Sequence, residues 1–201
     1  DITWWENDGS PADESGGDGN SWTEHTIDAD FNGAFSVYAV DVDSDGDMDV
    51  LGAARGANDI HWWENDGSES FTEHIIDDSF SETRSVSAAD VDGDGDMDVL
   101  GAAYGDDDIT WWENDGSPAT GAWPEHTIDA DFDAANSIYA ADVDGDGDMD
   151  ILGAAYFAHE ITWWENDGSE SFTEHTIDAN FTGAYSVYAT DVDRDGDMDV
   201  L

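Results

Sequence analysis

The chain has 201 residues, with 52 Asp and Glu against three Arg and no Lys, a formal net charge of −49. Three scattered Arg cannot build a basic patch, which excludes nucleic acid as a partner; no apolar run reaches membrane-spanning length, which excludes insertion by a helix, and the absence of Cys removes disulfides and thiolate metal sites. Ten Trp and 12% aromatic residues supply apolar surface for a core, so the acidity is not that of a disordered polyanion.

In chain order, the first element is Ile2-Thr3-Trp4-Trp5-Glu6-Asn7-Asp8-Gly9, a short apolar run closed by an Asn-Asp-Gly turn signal. A polar stretch over 10–22 leads to Glu24-His25 and the run Thr26-Ile27-Asp28. Ser36 to Val40 is a β-branched and small-residue run. It is followed by the acidic nonapeptide Asp41 to Asp49 and a second such run, Met48 to Ala54. Then the series starts again. The Trp-Trp element returns at 60–67, 109–116 and 161–168, and the Glu-His pair at 73–74, 125–126 and 174–175. The nonapeptide returns at 90–98, 142–150 and 191–199, so its periods are 49, 52 and 49 residues. From His to the next nonapeptide is always 16 residues, and from its first Asp to the first Trp always 21. Only the step from Asn-Asp-Gly to His varies (16, 7, 10 and 7 residues), as expected of an exposed loop tip that tolerates insertion.

Each unit reads as four short strands, in the second repeat 85–90, 98–103, 108–113 and 125–128. Four strands per repeat of about 50 residues is the pattern of a β-propeller blade. Adjacent strand residues face opposite ways, so Trp111 and Trp112 demand cover on both faces of their sheet, which two flanking blades provide. Small residues such as Ala88, Ala89, Gly101, Ala102 and Ala103 suit a crowded axis. The expectation is an all-β fold: one propeller domain over 1–201, with units near 1–35, 36–84, 85–136, 137–185 and 186–201. The first and last complete one blade, giving four blades closed by pairing of the N- and C-terminal strands. That pairing removes two sheet edges. The alternative is an arc of a larger propeller, since the chain begins inside a repeat and stops at Val200-Leu201.

The nonapeptides are the candidate metal loops. Each has Asp at positions 1, 3, 5, 7 and 9 and Gly at 6. The residues are Asp41, Asp43, Asp45, Asp47 and Asp49; Asp90, Asp92, Asp94, Asp96 and Asp98; Asp142, Asp144, Asp146, Asp148 and Asp150; and Asp191, Asp193, Asp195, Asp197 and Asp199. Five carboxylates in nine residues repel one another unless a counter-charge sits among them. Ca2+ suits them, because it takes six to eight oxygen ligands from flexible carboxylates and carbonyls. Gly at 6 supplies the sharp turn. The first half matches the EF-hand loop but lacks its Glu at position 12. The flanking runs place the loop between two antiparallel strands. A solvated acidic hairpin is the bland alternative, weakened by four in-frame copies. About four ions are expected, one per loop, which offsets only a small part of the charge. The rest, with no Lys, resembles the composition of halophilic proteins, where salt screens self-repulsion.

Asp-x-Asp-x-Asp-Gly-Asp-x-Asp followed by Val-Leu-Gly-Ala-Ala resembles the FG-GAP (VCBS-type) repeat of integrin α-chain propellers and of secreted microbial surface proteins. The resemblance covers the whole chain. It implies Ca2+ held by side chains at positions 1, 3, 5 and 9 and by the backbone carbonyl at 7, thus by Asp47, Asp96, Asp148 and Asp197 through their carbonyls. The Phe-Gly part is degraded to Phe31-Asn32-Gly33, Phe80-Ser81-Glu82, Phe132-Asp133-Ala134 and Phe181-Thr182-Gly183, and Gly-Ala-Pro is Gly-Ala-Ala. Neither departure touches a metal ligand, but both weaken integrin-like ligand recognition.

No zinc helix, phosphate loop or nucleophile elbow is present, so no catalytic residue is assigned. The Glu-His pairs, at one place in every repeat, read as structural. His61 and His159 read as surface substitutions. The expected role is a non-catalytic, calcium-binding structural or adhesive module of a secreted or cell-surface protein, monomeric or a domain-paired dimer, with an unidentified protein or glycan ligand. The alternatives are a lectin using Trp22 and Trp123 in the variable loops, and an accessory domain of a larger extracellular enzyme.

Overall fold

β-branched, aromatic and small residues alternate with turn clusters along the chain, and each such run is a strand. The computed structural model describes residues 1–7 and 22–201; Asp8, Gly9 and most of the longest variable stretch lie outside the described residues. There are sixteen strands and no helix among the described residues. They are β1 (Ile2–Asn7), β2 (Trp22–Asp28), β3 (Ala34–Val40), β4 (Asp49–Ala54), β5 (Asp59–Asn65), β6 (Phe71–Asp77), β7 (Thr83–Ala89) and β8 (Asp98–Ala103). After them come β9 (Asp108–Trp112), β10 (Glu125–Asp129), β11 (Ala135–Ala141), β12 (Asp150–Ala155), β13 (Glu160–Asn166), β14 (Phe172–Asp178), β15 (Ala189–Thr190) and β16 (Asp199–Val200).

Three four-stranded antiparallel meanders form, β3-β4-β5-β6, β7-β8-β9-β10 and β11-β12-β13-β14, flanked by the two-stranded sheets β1-β2 and β15-β16. The four-strand unit read from the repeats is therefore real, and each acidic nonapeptide joins the first strand of a unit to its second. The Glu-His element falls on the fourth, edge strand of each meander, as its place in the repeat implies.

The core lies between sheets rather than within one. Trp111 and Trp112 are both buried, and they enter different cores. Trp111 packs with Ile138 and Trp164 of the following unit and Phe132 of the connection to it; Trp112 packs with Ile60 and Trp62 of the preceding unit and Phe80 of the connection from it. The tandem Trp rivets each sheet to both neighbours because strand residues alternate faces. The packing requires Gly in the second strand. A methyl group on Gly101 would come within 2.8 Å of Trp112 Cζ3 and 2.9 Å of Ile60 Cδ1 and Phe80 Cε1. Each ring of Phe31, Phe80 and Phe132 meets its Trp edge-on at 4.9 Å (Trp63, Trp112 and Trp164), a favoured aromatic geometry.

First strands are stitched in series. Ser36 Oγ accepts from Val86 N (3.4 Å), Ser85 Oγ from Ile138 N (3.3 Å) and Ser137 Oγ from Val187 N (3.3 Å). The two terminal sheets do not pair with each other, so no ring of sheets is closed by hydrogen bonds. Internal second strands bond their third strands over five residues, as in Val99–Ala103 with Trp112–Asp108, whereas β16 offers only Asp199 and Val200. In consequence Trp5, equivalent to the buried Trp63, Trp112 and Trp164, is 56% exposed.

Candidate metal centre

The first and second strands of each unit bring the ends of the nonapeptide together, and its own carboxylates fold the rest. The Asp at position 1 accepts from the N–H of Gly at position 6 in all four loops: Asp41 from Gly46 (3.0 Å), Asp90 from Gly95 (3.1 Å), Asp142 from Gly147 (3.2 Å) and Asp191 from Gly196 (3.2 Å). Positions 3 and 5 each accept from the N–H two residues on, as in Asp45 N to Asp43 (3.2 Å) and Asp47 N to Asp45 (2.9 Å). These are Asx turns, which short acidic side chains favour. Gly46, Gly95, Gly147 and Gly196 have φ of 100°, 101°, 104° and 103°, the left-handed region that the position-6 Gly was expected to supply. Position 4 is left-handed too, and two of its occupants are not glycine: Ser44 (φ 61°) and Arg194 (φ 67°).

The result is a knot of oxygens. In three loops the carboxylates of positions 1, 3 and 5 each place an oxygen within 4.8 Å of the others: Asp41, Asp43 and Asp45; Asp90, Asp92 and Asp94; Asp142, Asp144 and Asp146. In the fourth loop the triplet is Asp191, Asp193 and Asp199, with Asp195 outside it. The side chains of Asp47, Asp96 and Asp148 lie instead against Gly67, Gly116 and Gly168 of the Asn-Asp-Gly turns.

Position 9 has a second task. Asp98 is buried and accepts from Val91 N (2.8 Å) on one oxygen and Asn114 N (2.8 Å) on the other. Asp49 is held in the same way by Val42 and Asn65, and Asp150 by Val143 and Asn166; Asp199 accepts from Val192 N (2.9 Å). Each oxygen keeps a lone pair, so this clamp and metal ligation are compatible.

Three features show that the residues fit a cation. Asp41 Oδ1 and Asp90 Oδ1 are buried and have no hydrogen-bond partner, an expensive condition for carboxylate oxygens. Burial, then neighbouring carboxylates, push the Asp43 and Asp92 carboxyls above their usual range despite a backbone N–H to each. Burial pushes Asp98 up to about 7, with Asp92 and Asp94 adding to it. The site as built favours a positive charge, and an all-oxygen donor set suits a hard dication.

The Asn of each Asn-Asp-Gly turn was read only as turn chemistry, and it does more. Asn166 is buried; its amide nitrogen reaches Met149 O (3.2 Å) in its own unit's loop and Val91 O (2.9 Å) in the preceding unit's loop. Asn114 does the same to Met97 and Val42. The recurrence of Asn behind every Trp-Trp-Glu was the available signal.

A model of the FG-GAP-like repeat matches residues 41–101, 95–153 and 154–201. The chain belongs to the FG-GAP-like repeat family. The matched spans run without a gap from the first acidic loop to the last residue. No curated protein matches the sequence.

In this FG-GAP-like chain the His of every Glu-His pair has a packing role. Each His lies directly across from the first Trp of the pair and stacks on it: His25 on Trp4 (4.2 Å), His74 on Trp62 (4.5 Å), His126 on Trp111 (4.4 Å) and His175 on Trp163 (4.5 Å). Its Nε2 is bonded to the Glu two residues beyond that Trp, as His74 to Glu64 at 2.8 Å. The repeated motif is a cross-strand staple. His61 is not a surface substitution: it is buried, bonded to Glu73 (2.8 Å) and packed near Phe31 and Trp63. His159 is half-buried and its Nδ1 accepts from Gly183 N (3.1 Å). Trp22 is exposed, and Trp123 is half-buried against the core between the first two meanders.

Proposed function

We propose that this FG-GAP-like chain is a calcium-binding, non-catalytic structural and adhesive module of a secreted or cell-surface protein. Its sheets are the blades of a propeller, each locked at one end by a Ca2+ ion. The reading rests above all on the orphaned oxygens of Asp41 and Asp90, each buried inside a triplet of carboxylates that no cationic side chain among the described residues neutralises. Asp41, Asp43, Asp45 and Asp49, with the carbonyl of Asp47, would hold the first ion, and the matching residues of the other loops the rest. Bound Ca2+ favours the ionised carboxylates and removes the repulsion that opposes folding.

Closure follows from the repeat. The second half of a fourth blade is β1-β2 and the first half is β15-β16. Ser186 and Val37 N are the open ends of the serine stitch that joins the other first strands, and both residues are exposed. Joining them makes a four-bladed ring, and this face accounts for the exposure of Trp5.

Ions that bind only the native state stabilise it by mass action. The test is a thermal melt with millimolar calcium and then with excess chelator at constant ionic strength. A higher midpoint with calcium is expected; an unchanged midpoint overturns the reading.

A further inference from the structure

At the end of the units opposite the acidic loops, the residue before each stitch serine is Phe35 on β3, Arg84 on β7, Asn136 on β11 and Tyr185 ahead of β15. Three of them are linked in a row. Arg84 Nη1 donates to Asn136 Oδ1 (2.6 Å), and Asn136 Nδ2 donates to the carbonyl of Tyr185 (2.6 Å). The guanidinium carbon of Arg84 sits 3.4 Å from the ring centre of Tyr104 and 5.6 Å from that of Phe35. Tyr104 in turn meets Phe157 (5.6 Å), which meets Tyr156 (5.3 Å). Tyr156 and Phe157 are exposed, so aromatic faces continue outward from the Tyr104 ring on which the cation sits.

That cation has no carboxylate partner. The chain carries 52 acids, yet among the described residues no ion pair forms at Arg84, while Arg55 pairs with Glu82 (3.0 Å). Arg84 Nε is buried and makes no hydrogen bond, and Nη1 alone of the three nitrogens donates to the protein. The guanidinium sits over a tyrosine ring and is oriented by an amide, and Nη2, unlike the buried Nε, is left to donate to an incoming carboxylate. The exposed rings add faces on which the C–H side of a pyranose stacks.

We propose that this aromatic surface beside Arg84 binds a saccharide bearing a single carboxylate, a terminal hexuronate residue. The carboxylate pairs with Arg84, and the sugar ring lies on Tyr156 or Phe157. Arg84 offers one positive charge in a chain of 52 acids, so it pairs with one carboxylate on an otherwise neutral body. The inference deepens the adhesive half of the function proposed above and names its ligand class.

The test is isothermal titration of the calcium-loaded protein in molar salt with methyl glucuronide, methyl glucoside and acetate. A charge-assisted hydrogen bond is expected to favour the glucuronide over the glucoside by about tenfold or more, with acetate weaker than the glucuronide. Arg84→Gln should erase the preference, and Tyr156→Ala should weaken the glucuronide while keeping it. No glucuronide binding by the wild type, equal binding of both sugars, acetate as tight as the glucuronide, or a preference that survives in Arg84→Gln overturns the proposal. If Arg84→Gln fails to melt cooperatively, the wild-type comparison of the three ligands still decides. The calcium melt is a separate readout, so a failed sugar site and a failed calcium reading are told apart.

Discussion

Asn166, on the third strand of one sheet, donates its side-chain amide to the carbonyl of Val91 in the acidic loop of the neighbouring sheet at 2.9 Å. The same nitrogen holds Met149 O in its own loop, and the Asn166 N–H holds Asp150. One buried side chain thus couples two candidate metal loops and the interface between them. Asn166→Ala leaves a buried carbonyl (Val91) and a half-buried one (Met149) short of a donor and should cost about 2 kcal/mol of stability. It should also lower calcium affinity in both loops. Asn65→Ala removes two exposed bonds within its own unit, to Met48 O and from Gly67 N, and should cost less. Chelator and calcium melts of the two variants check the order.

Gly101 is the point where a second strand, a tandem Trp and the preceding sheet meet. Gly101→Ala drives a methyl into Trp112, Ile60 and Phe80. All three are in buried packing that cannot yield, so the substitution should cost about 1–3 kcal/mol. Denaturant unfolding should show a lower midpoint with an unchanged slope. A wild-type midpoint would mean that the sheets are free to move apart.

Left-handed backbone at position 4 of the loops is met by Gly93 and Gly145 in two copies but by Ser44 and Arg194 in the others. A side chain there carries strain of about 1 kcal/mol. Replacing it by Gly relieves the strain but loosens the unfolded chain by a similar amount. Ser44→Gly should therefore change the chelated melt little. Its readout is calcium affinity: strain-free closure of the loop should tighten binding at that loop and leave the other three unaltered, as titration calorimetry would resolve.

Strand number, sheet order, loop position and the opposite-facing Trp pair were all legible in the sequence, because period-2 alternation and a repeated spacer carry them. Asn166 and His74 were legible as recurrences only. Their partners, Val91 and Trp62, are set by how sheets stack and by cross-strand register, which a single chain's spacing does not encode. His61 misled for a related reason. It stands where the other repeats have Thr, a strand position whose burial depends on the sheet beside it. Position 9 was legible as a carboxylate, while its clamp on two backbone N–H groups came only with the fold.

Asp98 and Asp108 set the pH behaviour of the metal-free protein. Burial pushes Asp98 up to about 7. Burial, then repulsion from Asp106, Glu125, Asp107 and Asp129, pushes Asp108 up to about 6. An unfolded Asp titrates at about 3.9. The folded chain thus holds more protons than the unfolded one between about 4 and 7, and stability falls as pH rises through that window. Asp66 and Asp167, lowered by the side-chain hydroxyls of Ser68 and Ser169, act in the opposite sense, but both sit on exposed turns. In chelator, the melting midpoint should therefore be higher at pH 5 than at pH 7.5. Asp108→Asn should raise the midpoint at pH 7.5 and leave it nearly unchanged at pH 4. Calcium reverses the trend at Asp98, because a dication in the loop favours the ionised form. Binding should release protons near pH 7 and weaken as pH falls below it. Calorimetry in two buffers of different ionisation enthalpy measures that release directly, and a buffer-independent heat would rule it out.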